Sequence, residues 1–117
     1  MPLATVSRFF NANTAGIVAL QGAVLANDDK PDIGNRVFDA RIINDGDKDV
    51  TVVLQGTSDG GTTWTTRATQ TCKARGQSTI TGSVRGTETN YRIKCTTSEG
   101  ETSGRLEIFN NSNFYKV

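Results

Sequence analysis

The sequence lacks histidine altogether, and it has only two cysteines and two prolines among its 117 residues. Without histidine, the chain has no side chain of the kind most often used for acid–base catalysis near neutral pH. Cys72 and Cys95 are too few for a disulfide framework or a zinc site. We therefore expect a protein that is not an enzyme and that carries no cofactor.

Long apolar runs are also absent. The most apolar stretch, residues 16–26, is far shorter than the ~20 residues of a membrane-spanning helix. The start, MPLATVSRFF, lacks the basic and apolar segments of a secretory signal. A net charge of +1 gives no general attraction to nucleic acid or to acidic membranes. The sequence thus predicts a soluble protein made in a cytoplasm, with neither nucleic acid nor a membrane as partner.

What the chain has instead is an alternation of apolar and polar residues, with a period of two, from Arg36 onward. Such alternation indicates half-buried β-strands, and turns rich in Asp and Gly, such as NDGDKD and SDGG, separate them. Residues 16–26 are predicted to hold one or two strands, with a possible bulge at Gly22. Further strands are predicted at 36–43, 49–57, 62–72, 78–84, 90–97 and 104–110.

In most of these strands the apolar side chains share one face, which should form the core. Many short strands separated by regular turn signals predict an all-β fold, a single antiparallel β-sandwich. The pattern does not separate a jelly-roll from an immunoglobulin-like topology. In the 62–72 strand, Trp64, Thr66, Ala68 and Gln70 share the side of Cys72. The other predicted inward residues are Phe38, Ala40, Ile42, Val50, Val52, Leu54, Tyr91, Ile93, Cys95, Leu106 and Ile108.

The two ends of the chain depart from this pattern. Residues 1–15 are polar and rich in asparagine, with two adjacent phenylalanines as anchors, and they are predicted to form an extended N-terminal arm. Residues 16–117 are predicted to form the sandwich domain, including a short apolar C-terminal tail. Removing residues 1–15 should then leave a folded sandwich. Because apolar side chains in free tails gain nothing, four residues are predicted to bind a partner: Phe9, Phe10, Phe114 and Tyr115.

Charge is unevenly distributed along the chain. Acidic residues predominate between Asp28 and Asp59, and basic residues predominate between Arg67 and Lys94. If the two segments lie on different faces, the molecule is a dipole suited to head-to-tail contacts. The alternative is a set of solvated turns of both signs.

Two groups of residues suggest sites, each with a plainer alternative. Asp45, Asp47 and Asp49 alternate as Ca²⁺ ligands can, but the later bidentate Glu of a calcium loop is missing, which favours a solvated hairpin. Cys72 and Cys95 both fall on inward faces, so a disulfide across the core is conceivable. Reduced thiols packed as small apolar groups are the alternative in a cytoplasm.

Trp64 is the chain's one tryptophan and follows the SDGG turn. Its ring could stack on a sugar, as aromatic platforms in carbohydrate-binding proteins do. Its position just after a hairpin turn, with Thr on both sides, fits a cap on the core at least as well.

The block ARIINDGDKDVTVVLQGTSDGGTTWTT, followed by YRIKCTTSEGETSGRLEI, resembles β-sandwich structural proteins of tailed-phage virions, in particular head decoration (cement) proteins. The resemblance covers about residues 36–110. It implies a protein that binds the major capsid protein and itself, often as a trimer at local threefold positions, and that stabilises the head shell by bridging neighbouring subunits. The implied location is the capsid surface of a virion assembled in the host cytoplasm.

Other interpretations stay open at this point. An adhesive or carbohydrate-binding module of a phage fibre or tail would use similar hairpins, and so would a neck or tail connector.

Overall fold

The computed structural model describes residues 6–23, 35–85 and 88–109. These residues form strands and turns, and none of them belongs to a helix that could cross a membrane. The strands are β1 (Val6–Asn13), β2 (Ile17–Ala23), β3 (Asn35–Asn44), β4 (Val50–Thr57), β5 (Thr65–Cys72), β6 (Gln77–Arg85), β7 (Asn90–Thr96) and β8 (Glu101–Ile108). The predicted all-β class is confirmed.

The strands form one nearly closed, barrel-like sheet that consists of two antiparallel ladders. The first ladder has the order β1-β8-β3-β6, and the second ladder has the order β2-β7-β4-β5. A single parallel pair, Asn13 with Thr96, joins β1 to β7 and connects the two ladders. On the other side β6 lies against β5, where Ser78 Oγ donates a hydrogen bond to Thr71 O at 3.4 Å.

Side chains from both ladders fill the core, and most of them are those that the alternation predicts. In β4, for example, Val50, Val52 and Leu54 are fully buried while the residues between them are half-buried. A slip of one residue would exchange the two faces of a strand, so these burials confirm the predicted register. The predicted inward residues that prove buried are Phe38, Ala40, Ile42, Val50, Val52, Leu54, Tyr91, Ile93, Cys95, Leu106 and Ile108, together with Cys72.

The N-terminal segment differs from the predicted arm. Residues 6–13 form β1, which pairs along its whole length with β8. Phe10 and Ala12 are core residues, 4% and 0% exposed, because they point inward from this strand. Deleting residues 1–15 would therefore remove a strand and two core side chains, so the truncated chain is no longer expected to fold. Residues 1–5 of the predicted arm lie outside the described residues.

The sequence pattern misplaced the irregular position in β2 and did not predict the one in β5. In β2 the register shifts at Ala19, between Val18 and Leu20, and not at Gly22. In β5 the register shifts at Arg67, so Ala68 packs on the core while Thr66 is exposed. β-Bulges of this kind insert one unpaired residue and turn the following side chains to the other face. Because β5 begins at Thr65, Trp64 lies in the loop before this strand, and not on the inward face of a strand.

A buried asparagine holds the two ladders together at one end. Asn44, at the end of β3, is 1% exposed and uses both ends of its amide. Its Oδ1 accepts hydrogen bonds from Gly46 N at 3.1 Å and from Thr102 Oγ1 of β8 at 2.7 Å. Its Nδ2 donates to three main-chain carbonyl oxygens, those of Lys48 (2.7 Å), Cys72 (3.2 Å) and Lys73 (3.3 Å). Two turns and strands of both ladders thus meet at one side chain.

We expect Asn44→Asp to lower the free energy of unfolding by about 3 kcal/mol or more, because three main-chain carbonyls lose their donor and face a carboxylate instead. Urea denaturation measures this change. The matched control is Asn11→Asp, which makes the same replacement at an exposed position of β1 and should change stability by less than about 0.5 kcal/mol. Equal losses in the two variants would show that the Asn44 amide does not hold the ladders together.

Candidate binding site

The four residues predicted to bind a partner have different fates. Phe9 is 79% exposed on β1, next to Arg105 in the ladder register. Phe10 is buried in the core and is not available to a partner. Phe114 and Tyr115 lie outside the described residues. Of the four, the described part of the chain thus leaves Phe9 as a candidate contact.

Phe9 lies on a strand edge. β1 pairs with β8 on one side, and on the other side its one ladder partner is Thr96, opposite Asn13. β2 pairs with β7 alone, and no ladder in the described part of the chain joins β1 to β2. β2 carries the second exposed large apolar residue, Val18, which is 45% exposed. The two large apolar side chains that are exposed in the described ranges therefore sit on strands with one edge that is largely or wholly without a ladder partner there.

The dipole interpretation requires the acidic and basic segments to lie on different faces. The acidic 45–49 turn and the basic 73–76 turn do not. Asp49 accepts a hydrogen bond from Ala74 N at 3.0 Å, and its Oδ2 lies 3.3 Å from Lys73 Nζ. The Ala74 N–H and the Lys73 ammonium hold the pKa of the Asp49 carboxyl below its usual value. Arg75 N also donates to Gly46 O at 3.0 Å. The 45–49 and 73–76 turns therefore lie side by side and neutralise each other.

These contacts also bear on the calcium alternative. The Asp49 carboxylate already receives its donors from the neighbouring turn. Asp45 Oδ2 lies 3.9 Å from Arg105 Nη1. Within the described ranges, no three acidic or cysteine side chains gather as metal ligands would. The alternating aspartates of residues 45–49 belong to a hydrogen-bonded turn.

The two cysteines are free and buried, and the sheet keeps them apart. Cys72 is opposite Val50 and Cys95 is opposite Val52, so the two cysteines lie on the strands that flank β4. Two strand spacings of about 4.8 Å exceed the ~7 Å between Cα atoms that a disulfide tolerates. Burial raises the pKa of the Cys95 thiol to about 12, and it raises the pKa of Cys72 as well. Both thiols pack as small apolar groups.

Trp64 is positioned by the turn that precedes it. Thr57 Oγ1 donates to Asp59 Oδ1 at 2.7 Å and accepts from Gly61 N at 3.1 Å, and Thr63 N donates to the same Asp59 oxygen at 2.9 Å. Gly60 and Gly61 have φ angles of 77° and 101°, a conformation that residues with a Cβ rarely adopt. The SDGG segment thus makes a closed turn that delivers the indole to the outer side of the sheet.

The indole of Trp64 carries an arginine on its face. The guanidinium carbon of Arg92, on β7, lies 4.3 Å from the ring centroid, which is a cation–π arrangement. Arg92 Nε donates to Gln55 Oε1 of β4 at 2.7 Å, and Gln55 Nε2 lies 3.4 Å from Thr66 Oγ1 of β5. The sequence drew attention to Trp64. It did not predict that Arg92 contacts the indole, because this contact depends on the pairing of β4 with β7.

A buried ion pair lies near the same end of β4. Arg67, the bulged residue of β5, places Nη2 at 2.8 Å and Nε at 3.2 Å from Glu88 Oε2. The Glu88 side chain is 4% exposed. Gly56 is required beneath it, since a Cβ there would lie 2.5 Å from Glu88 Oε1. The bulge therefore turns Arg67 toward Glu88.

Comparisons with known proteins bear on the fold. The crystal structure of PirA aligns with 88% of this chain and 92% of its own, with a TM-score of 0.59 at 14% sequence identity. The naturally occurring empty top component of cowpea mosaic virus aligns with 100% of this chain and 87% of its own, but its TM-score of 0.42 at 11% identity is too low to carry an argument. No family model and no curated protein matches this chain. The similarity to PirA shows a shared fold alone.

The turn before Trp64 should give Asp59 an unusual titration. The Thr63 N–H and the Thr57 hydroxyl lower the pKa of Asp59 from 3.8 to about 2. A lowered pKa in the folded state means that these bonds stabilise the protein above about pH 4 and cease to do so as the pH falls toward 2. We expect Thr57→Val to raise the pKa of Asp59 toward 3.8, as measured by NMR titration of the carboxyl carbon. An unchanged pKa in this variant would contradict the turn geometry.

Proposed function

We propose that this chain is a structural virion protein that decorates the head of a tailed phage and stabilises the shell by bridging copies of the major capsid protein. The observation that carries the proposal is Phe9, a large apolar side chain that is 79% exposed on β1, a strand that pairs along its length with β8 and has one ladder pair, Asn13 with Thr96, on its other edge. Exposed strand edges are templates for pairing with another chain, and soluble proteins normally protect them with charge, proline or a covering element. Catalysis is no part of the proposed role.

The composition of the two edge strands supports an interface there. β2 has the sequence IVALQGA, with no charged residue and no proline, and β1 has one charged residue, Arg8. A partner strand added to such an edge gains main-chain hydrogen bonds, and pockets for alternate side chains give specificity. In the proposed complex, Phe9 and Val18 become covered when the edges of β1 and β2 meet the shell.

The order of the ladders supports a jelly-roll as the finer description of the fold. The chain passes from one ladder to the other at every connection except β4–β5, so hairpin neighbours otherwise lie in different ladders. An immunoglobulin-like sandwich instead keeps its first two strands in one sheet. We propose that the two ladders are the two sheets of a jelly-roll sandwich, an architecture found in viral capsid and lectin domains.

The proposal includes a homo-oligomer, a trimer at local threefold positions, on the outer surface of the virion. A stable interface buries roughly 1,600 Å² in total. One eight-residue edge strand exposes too little surface to reach that area, so several copies must share the contact. Neither nucleic acid nor a membrane is a proposed partner.

The Phe9→Ser variant tests the proposal by co-sedimentation with purified phage heads that lack this protein. Burying a phenylalanine contributes about 1.5–3 kcal/mol, so the concentration for half-maximal occupancy should rise roughly 10- to 100-fold. The variant should keep wild-type stability, because Phe9 is exposed in the isolated protein. The control Asn11→Ser changes another exposed residue of β1 and should bind heads as the wild type does. Undiminished binding of Phe9→Ser, or no binding by any form, would contradict the proposed role.

A further inference from the structure

The outer side of the second ladder carries a row of polar side chains across all four strands. Ladder register places Gln21 of β2, Arg92 of β7, Gln55 of β4 and Thr66 of β5 in line. The adjacent row contains Val18, Lys94, Val53 and Thr69. We call these two rows, together with Trp64 beside the first, the Arg92 surface.

Arg92 is held in one orientation on this surface. Its guanidinium is stacked on Trp64 at 4.3 Å, and its Nε is bonded to Gln55 Oε1 at 2.7 Å. The two terminal nitrogens form no hydrogen bond or ion pair with the described part of the chain. A planar guanidinium fixed in this way presents two parallel N–H groups, which match the two oxygens of a carboxylate. Little side-chain entropy is lost when a ligand binds an arginine that is already oriented.

The charge of the Arg92 surface has no acidic counterpart within its own ladder. None of the sequences of β2, β4, β5 and β7 contains Asp or Glu. Arg67 of β5 is already paired with Glu88. The first ladder is different, since Arg41 lies 3.6 Å from Glu107 and Arg105 lies 3.6 Å from the same residue. Within the described residues, the outer surface of the second ladder is thus the side where an anion meets positive charge that no acid of the same strands compensates.

The neighbouring groups favour a hydroxyl-rich anion over an acidic protein surface. Apart from Val18 and Val53, the two rows offer amides, hydroxyls and the Lys94 ammonium. A protein interface needs an apolar centre, which two separated valines and a half-buried indole do not supply. Glutamine amides and threonine hydroxyls instead bond the hydroxyl groups of a sugar.

We propose that the Arg92 surface binds a carboxylated saccharide, with the sugar carboxylate on the terminal nitrogens of Arg92 and the sugar hydroxyls on Gln21, Gln55 and Thr66. Trp64 orients Arg92 and does not act as a stacking platform, because the guanidinium covers one face of its ring. The proposed site shares β2 with the edge that the proposed head contact uses, but Arg92, Gln55 and Thr66 lie on other strands, so its test needs no phage heads.

Fluorescence titration tests the proposal, because the chain's sole tryptophan lies within the site. The probes are trigalacturonate, its neutral methyl ester, and triglutamate as an acidic peptide of similar charge. We expect trigalacturonate to bind the full-length protein and the other two probes to bind roughly tenfold more weakly or worse. Added salt should weaken the binding of trigalacturonate, since the site is exposed to solvent.

Three variants locate the site. Arg92→Gln should weaken trigalacturonate binding roughly tenfold or more, and Arg92→Lys should lose most of the affinity because an ammonium lacks the planar fork. The matched control is Arg41→Gln, which removes an exposed arginine from the outer side of the first ladder and should leave the affinity unchanged. Equal weakening in Arg41→Gln and Arg92→Gln, or no binding of trigalacturonate, would overturn the proposed site. Equal affinity for triglutamate would overturn the assignment to a saccharide.

Discussion

The hydrogen bonds of Asn44 are the constraint on which the packing of the two ladders against each other depends. This side chain belongs to β3 of the first ladder, yet its amide is bonded to Cys72 O and Lys73 O at the end of β5 and to Thr102 on β8. It therefore fixes how far the second ladder is displaced along the first. Thr97 Oγ1 adds a bond to Asp49 O at 2.8 Å, which fixes the end of β7 beside β4. Within the second ladder, the pairing of β2, β7, β4 and β5 then sets the rows of side chains on the outer surface.

At the far end of the sheet, the bulge in β5 keeps a buried acidic side chain away from the outer surface of the second ladder. At Arg67 the extra residue of β5 turns a guanidinium toward Glu88, and the absence of a side chain at Gly56 makes room for the carboxylate. A buried carboxylate needs such a partner, since an unpaired charge there would be costly. The negative charge is thereby kept off the outer surface of the second ladder. Arg92 consequently has Gln55 and Trp64 as neighbours and no acid.

The sequence predicted the regular strands and missed the features that depend on distant partners. The register of β4 followed from Val50, Val52 and Leu54, because a half-buried strand repeats every two residues. β1 was mistaken for an arm because two inward residues, Phe10 and Ala12, lie among polar ones, and its pairing with β8 spans most of the chain. The misplaced bulge in β2 and the unpredicted bulge in β5 have the same origin, since a bulge exists only relative to a partner strand.

The candidate surfaces were predicted in part. Phe9 stood out as a large side chain outside the alternating pattern and Trp64 as the chain's one tryptophan, and both are at least partly exposed. Arg92 could not be identified, because its two fixing contacts come from β4 and from the loop before β5. The order of the strands in the two ladders likewise follows from pairing between strands remote in sequence, which a local period does not encode.

In the proposed function, the edge of β1 opposite β8 becomes an interface on the phage head, and amide hydrogen exchange measures whether it does. In the isolated protein, alternate amides of β1 are bonded to β8 and should exchange slowly, while those of the free edge exchange rapidly. When the protein binds to heads, we expect strong new protection of the β1 amides that are not bonded to β8. Exchange at β1 that is unchanged by bound heads would contradict it.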